Sequence, residues 1–398
     1  MPAAISPDGT AYITIQLLYV QCVNPVCFFS GYRPVFRADR RFPAGLSAQS
    51  KLTPPRHHGR INDVYREDRK LDAVLPYLLL IVGFVALIKG ADWFVEGSSG
   101  FAKLAHIPPI IIGLTIVSVG TSAPEAAVSI TAAIRGSNDI AVGNIIGSNL
   151  FNLLMVGGIC AIMKPLPVSK SIIKKELLWS ILAAGLLLVM GLDAVLFGAE
   201  KNMISRIDSL ILFILFLLFI TYQVRSGMKS HREGIEEDVP EIKDLTPLKC
   251  TILLLIGIAL VIAGGQLVVD SATKIARSFG VSDAFIALTV IAVGTSLPEL
   301  VTSIVASRKG ENDLALGNIV GSNLFNILFI LGASGIFSPL NFADECFIDI
   351  AYLIAISIIT MIFAATKGRI TRPEGICMVV LYVSYVGYLM WQQGLIFS

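Results

Sequence analysis

Two six-residue segments, GTSAPE at 120–125 and GTSLPE at 294–299, put a carboxylic acid, two hydroxyls and a proline into otherwise apolar sequence. An ionisable group at membrane depth is costly and marks a candidate functional site, so Glu125 and Glu299 are the first residues to consider. A proline inside a helix removes a donor and clashes with the carbonyl four residues back. For Pro124 and Pro298 those carbonyls belong to Gly120 and Gly294, and a freed carbonyl in the bilayer needs a helix, water or an ion as partner. Thr121 and Ser122 share one turn, and Glu125 follows Ser122 by three residues on the same face. Thr295, Ser296 and Glu299 repeat the arrangement. Downstream, Ser148 and Asn152 are four residues apart and share a helical face, as do Ser322 and Asn326. Asn144 and Asn318 extend those stripes. Gly143 with Gly147, and Gly317 with Gly321, form GxxxG pairs that let helices approach closely.

Every member of this set is a hard oxygen donor, the kind that Ca²⁺ gathers six to eight at a time. Two carboxylates neutralise one divalent cation, whereas the empty site would hold two buried negative charges at considerable cost. Such a site favours occupancy by Ca²⁺, Na⁺ or protons, which is a physical basis for exchange.

The two sets belong to one duplicated segment. Residues 113–152 and 287–326 align without a gap at an offset of about 174, with roughly 24 of 40 positions identical. With 55% apolar and only 15% charged residues, the chain reads as an all-α polytopic membrane protein. The small net charge of +2 gives no sign of a nucleic-acid partner. Runs long enough to cross the bilayer predict ten transmembrane helices. Five lie in the first half, near 74–98, 108–134, 139–163, 174–192 and 207–225. Five lie in the second, near 248–273, 282–307, 313–338, 346–366 and 374–394. The repeats therefore span 74–225 and 248–398, joined by a polar connector at 226–247. An odd number of spans per repeat makes the second copy enter from the opposite side, an inverted arrangement with its site at the midplane. Lys and Arg crowd one set of loops, including Lys103, Lys164, Lys174, Arg225, Lys309 and Arg369. Only Arg135, Lys201, Arg206, Lys274 and Arg277 occupy the other, so the first set, with the connector, is expected to face the cytoplasm.

Residues 1–70 do not fit this pattern. An over-extended gene start (with Val64, Leu71 or Val74 as alternative initiation points), a poorly ordered or processed extension, and an extra helix are all compatible with them. Cys160, Cys250, Cys346 and Cys377 read as small packing residues in or beside spans, and Cys22 and Cys27 lie in the extension. All four histidines fall in loops or the extension, which gives no support to a histidine metal site. Asp92, Glu96 and Asp270 read as solvated helix ends, and Asn138–Asp139 and Asn312–Asp313 as helix N-caps.

The GTSAPE and GTSLPE segments, with the paired GNIIGSNLFN and GNIVGSNLFN, resemble the two alpha-repeats of the cation/calcium exchanger superfamily, most closely its prokaryotic sodium/calcium exchangers. The resemblance covers about 70–394. It implies a multi-pass protein of the cell (inner) membrane, not an enzyme, which needs no cofactor and has Ca²⁺ and Na⁺ as transported ions. Glu125 and Glu299 would be central Ca²⁺ ligands. Thr121, Ser122, Ser148 and Asn152 would surround the ion from one repeat, with Thr295, Ser296, Ser322 and Asn326 from the other. Main-chain carbonyls near Ser118 and Ala292 would join the Na⁺ sites. The implied mechanism is alternating access, with the first and sixth helices sliding over a fixed core. Asparagine at both 152 and 326, where some relatives carry aspartate, argues against K⁺ co-transport. Two alternatives stay open: a proton/cation antiporter that titrates the same acids, and a cation channel, although no ring of carbonyls or like charges is evident.

Overall fold

The computed structural model describes residues 58–136, 138–192, 198, 201–233, 246–342, 344–392 and 394, and they form helices with four very short strands. Helix α1, His58–Leu104, is followed by α2, which is broken into Pro109–Thr121 and Ala123–Ile134. Next come α3 at 138–163, α4 at 170–190 and α5 at Arg206–Glu233. The second half opens with α6, Pro247–Ser278, and a broken α7 whose limbs are 283–295 and Leu297–Lys309. It closes with α8 (Asn312–Phe337), α9 (Asp344–Lys367) and α10 (Arg372–Gln392). Among the described residues, seven helices are long and apolar enough to cross a bilayer, and nine if each bent pair is one span. Outside those nine is α4, whose first turns carry Lys170, Lys174, Lys175 and Glu176. The protein is a helical polytopic membrane protein.

Because α1 begins at His58, residues 58–70 belong to the helix whose apolar part, Val74–Leu104, is the first candidate span; residues 1–57 and connector residues 234–245 lie outside the described set. The side chains of Asn138 and Asp139 also lie outside it. Asn312 and Asp313 are the first residues of α8, and Glu311 occupies the cap position without a side-chain bond. The capping role expected of that pair is therefore corrected. Asp313 instead supplies a negative charge to the first turn, where it opposes the helix dipole.

Equivalent devices shape both halves. Gly136 and Gly310, with φ of 80° and 85°, reverse the chain after α2 and α7 in the left-handed region that only glycine enters freely. Helices α2 and α7 bend by 53° and 54°, at Ser122 and Ser296. Wide π-helical turns recur at 113–117 and 287–291, and at 151–156 and 325–331. Insertions of this kind in α-helices cluster at functional sites.

Helices α3 and α8 form the centre, and most of their side chains are buried from end to end. Around them α1 and α6 pack along each other, with Gly90 and Gly257 in reciprocal close approach. A methyl group on either would lie 2.9 Å from the carbonyl oxygen of the other. The strands β1 (Leu166–Pro167), β2 (Met203–Ile204), β3 (Leu340–Asn341) and β4 (Arg369–Ile370) pair as β1–β4 and β2–β3, both antiparallel. Each pair takes one strand from each half.

Candidate functional site

The break at Ser122 puts Pro124 in the first turn of the second limb of α2, where a missing N–H has no consequence. Pro298 does the same in α7. The prolines therefore mark breaks between limbs, not kinks within continuous helices. The break also sets Glu125 and Glu299 in the first turns of their limbs, where the positive end of the helix dipole favours a carboxylate.

Both acids are fully buried, and each is held by the opposite repeat. The Ser122 hydroxyl donates to Glu299 Oε1 at 2.7 Å, and the Ser296 hydroxyl donates to Glu125 Oε1 at 2.9 Å. Ser122 and Glu125, placed on one helical face by their spacing, thus each bond across to the other repeat. The reciprocal bonds hold both carboxylates, one from each repeat, in the same buried region. Each leaves its second oxygen, Oε2, buried without a hydrogen-bond partner.

The asparagines are arranged by residues that spacing alone does not reveal. The Asn152 amide donates to Asn323 Oδ1 at 3.2 Å, and that of Asn326 donates to Asn149 Oδ1 at 3.0 Å. Asn149 and Asn323 in turn donate to each other's main-chain carbonyls, both at 3.3 Å. With their NH₂ groups so engaged, Asn152 and Asn326 keep their Oδ1 atoms buried and unpartnered. Ser322 Oγ is also unpartnered, and Ser148 is buried. Asn144 and Asn318 tie helices together: their amides donate to Ser129 and Ser303 at 3.0 and 2.9 Å. Asn149, Asn323, Ser129 and Ser303 are thus the residues the sequence reading missed. Ser129 and Ser303 lie one helical turn after the acids, which was the available signal. For Asn149 and Asn323 the pairing across the repeats is purely tertiary.

Five buried oxygens, from Glu125, Glu299, Asn152, Asn326 and Ser322, are therefore without partners. Leaving a buried acceptor unsatisfied costs about 1–3 kcal/mol and more for a charged one, so the set suits a cation. Among the described residues no group of three His, Cys, Asp or Glu could hold a metal ion, so any cation here would rely on neutral oxygens beside the two acids.

The two halves differ at their first limbs. Ser118 and Thr121 are 0% exposed, whereas their counterparts Ala292 and Thr295 are half-buried. Thr121 donates across to Asn318 Oδ1 at 3.0 Å, while Thr295 donates to Ala292 O within its own limb, at 3.5 Å. The Ser118 carbonyl already accepts the Ser122 N–H at 3.0 Å. A methyl on Gly113 would sit 2.7 Å from Leu314 O, so the first limb of α2 lies backbone to backbone on α8. At the rim, Lys309 pairs with Asp92 at 2.7 Å and lies 3.9 Å from Glu96, all partly exposed. Asp270 is exposed and accepts from Gln266.

The likeness to known proteins extends over nearly the whole described chain. Residues 75–225 and 249–391 match the family described as sodium/calcium exchanger protein. The CaxA protein of Alkalimonas amylolytica is 40% identical over 325 residues, covering 81% of this chain and 98% of its own. The sodium/calcium exchanger MaX1 of Methanosarcina acetivorans is 33% identical, with 79% and 98% covered. Among solved structures, the sodium-calcium exchanger NCX_Mj, in a crystal soaked with Na⁺ and Sr²⁺, superposes with a TM-score of 0.68 at 32% identity, covering 79% of this chain and 98% of its own. With this match along both halves, the chain belongs to the sodium/calcium exchanger protein family of membrane antiporters.

Proposed function

We propose that the protein is a secondary antiporter that exchanges Ca²⁺ for Na⁺ across the cell membrane through one site shared by both repeats. The observation that carries this reading is the set of five unpartnered buried oxygens, two of them carboxylate, drawn from both halves. Ca²⁺ bound by Glu125 and Glu299 would be charge-balanced, with Asn152, Asn326, Ser148 and Ser322 as neutral donors. When Ca²⁺ leaves, two unbalanced buried carboxylates remain, and Na⁺ ions entering among the same oxygens and the carbonyls near Ser118 and Ala292 offset them. Release of one ion is thereby linked to entry of the other.

Exchange also needs access from each side in turn, and inverted ten-span topology would supply it. The strand pairs support that topology: β1–β4 joins the α3–α4 loop to the α9–α10 loop, and β2–β3 joins the α4–α5 loop to the α8–α9 loop. Ten spans with both ends outside put the first two loops on the cytoplasmic side and the last two outside. In that orientation the buried first limb of α2 closes the cytoplasmic side. The half-buried first limb of α7 leaves the outer side looser, an outward-facing arrangement.

The test is uptake of ⁴⁵Ca²⁺ into proteoliposomes under an imposed Na⁺ gradient, an imposed pH gradient, or neither, with K⁺ present or absent. Uptake that follows the outward Na⁺ gradient, without K⁺, is the expected result. Uptake that follows only the pH gradient would sink Na⁺ coupling in favour of a proton antiporter.

A further inference from the structure

Where α3 and α8 meet, Asn149, Asn152, Asn323 and Asn326 are all buried and bonded to one another across the repeats. The direction of these bonds follows from one fact: a main-chain carbonyl can only accept. The side-chain nitrogen of Asn149 lies 3.3 Å from the Asn323 carbonyl oxygen, and that of Asn323 lies 3.3 Å from the Asn149 carbonyl oxygen. Turning either amide over would set oxygen against oxygen, so the other end of each side chain is fixed. Asn149 Oδ1 faces position 326 and Asn323 Oδ1 faces position 152. The residues at 326 and 152 must then be donors on that side, and the Asn326 and Asn152 amides are, at 3.0 and 3.2 Å.

Asparagine and aspartate have nearly the same shape, but a carboxylate has no hydrogen to give. At 326 or 152 it would meet Asn149 or Asn323 acceptor to acceptor in a buried setting, where an unmade hydrogen bond is costly. It would have to turn aside or take up a proton, and in either case it would present no charge to the ion. Glu125 and Glu299 meet the reverse arrangement, since each faces a serine hydroxyl that donates to it. The site therefore has two kinds of support. Donors stand behind the two acids, and acceptors stand behind the two amides.

We infer that Asn149 and Asn323 are positioning residues that determine which cations the site accepts. By presenting acceptors to 326 and 152 they admit only an amide there, confine the negative charge to Glu125 and Glu299, and so match the site to a divalent cation. The inference rests on the shared-site reading above and adds the residues that set the charge of that site.

Calorimetric titration of the purified protein with CaCl₂ and with LaCl₃, in Na⁺-free buffer, tests this independently of transport. In the parent protein Asn149→Ala takes the acceptor from the Asn326 amide and should weaken Ca²⁺ binding by about tenfold. In an Asn326→Asp background the same substitution removes the opposing acceptor and lets the carboxylate face the ion. There it should strengthen Ca²⁺ binding by about fivefold or more, with a larger gain for La³⁺ because attraction grows with the charge of the ion. Asn323→Ala with Asn152→Asp should give the same reversal. The crossed pairs, Asn149→Ala with Asn152→Asp and Asn323→Ala with Asn326→Asp, should not. Weaker binding on both Ala substitutions in every background would reduce Asn149 and Asn323 to packing and overturn the inference. So would an Asn326→Asp protein that gains the La³⁺ preference with Asn149 in place. The two repeats give two separate cycles, so a variant that fails to fold in one leaves the other decisive. Absence of Ca²⁺ binding by the parent protein would instead overturn the shared-site reading, and this inference with it.

Discussion

At the residue scale, the acids are the least replaceable part of the site. Glu125→Gln and Glu299→Gln keep shape and hydrogen-bonding capacity, since a Gln carbonyl can still accept from Ser296 or Ser122. They remove the charge that balances a divalent ion. Each is expected to abolish Ca²⁺ uptake in proteoliposomes while the purified protein remains monodisperse on gel filtration; near-normal uptake by either would rule out a shared site. Asn149 and Asn323 act one step further out by engaging the amides of Asn326 and Asn152. Groups that orient metal ligands typically contribute 10–100-fold in affinity. Asn149→Ala should therefore raise the Ca²⁺ concentration for half-maximal uptake by about tenfold, with a smaller change in maximal rate. An unchanged concentration dependence would assign the Asn149–Asn326 bond to packing alone.

At the element scale, the difference between the two first limbs has a measurable consequence. Ser118 is sealed between α2 and α8, whereas Ala292 is half-buried. In a cysteine-free background without Ca²⁺, Ala292→Cys should react with an impermeant thiol reagent and Ser118→Cys should not. The seal depends on the close approach of Gly113 to α8. Gly113→Val would force side-chain atoms into that contact, at a cost of about 1–3 kcal/mol in the closed arrangement. Added to Ser118→Cys, it should make residue 118 reactive. If labelling at 118 stayed absent, the α2–α8 contact would not be what closes that side.

At the scale of the whole molecule, the two strand pairs make a topological prediction. Lys164 and Lys367 flank β1 and β4, and Lys201 precedes β2; all three are exposed. Cysteines at 164 and 367 should label from one side of sealed vesicles and a cysteine at 201 from the other. Labelling of 164 and 367 from opposite sides would exclude the inverted ten-span arrangement. Helices α1 and α6 pack along each other through glycines, and they touch the broken helices at Gly120, beside Phe94 and Ile258, and at Gly294, beside Val269. A shift of this pair as one body past a core centred on α3 and α8 is the movement that the proposed alternating access would use.

Much of this was legible in the residues. Apolar runs of bilayer length, an acid in each copy of a duplicated segment and two proline-bearing GTSxPE segments follow from local composition and periodicity, because a membrane span must satisfy its backbone internally and cannot hide a charge cheaply. Local spacing could not tell which hydroxyl serves which acid. Ser122 lies on the same helical turn as Glu125 yet donates to Glu299, because the break turns the second limb away and the opposite repeat approaches. Nor could spacing reveal the Asn149–Asn323 pair, the β1–β4 and β2–β3 pairings, or the unequal burial of Ser118 and Ala292. Sequence alone determined which groups must be sheltered, through their polarity in an apolar setting. Only the tertiary structure decided which repeat shelters them, since that depends on contacts between segments about 174 residues apart.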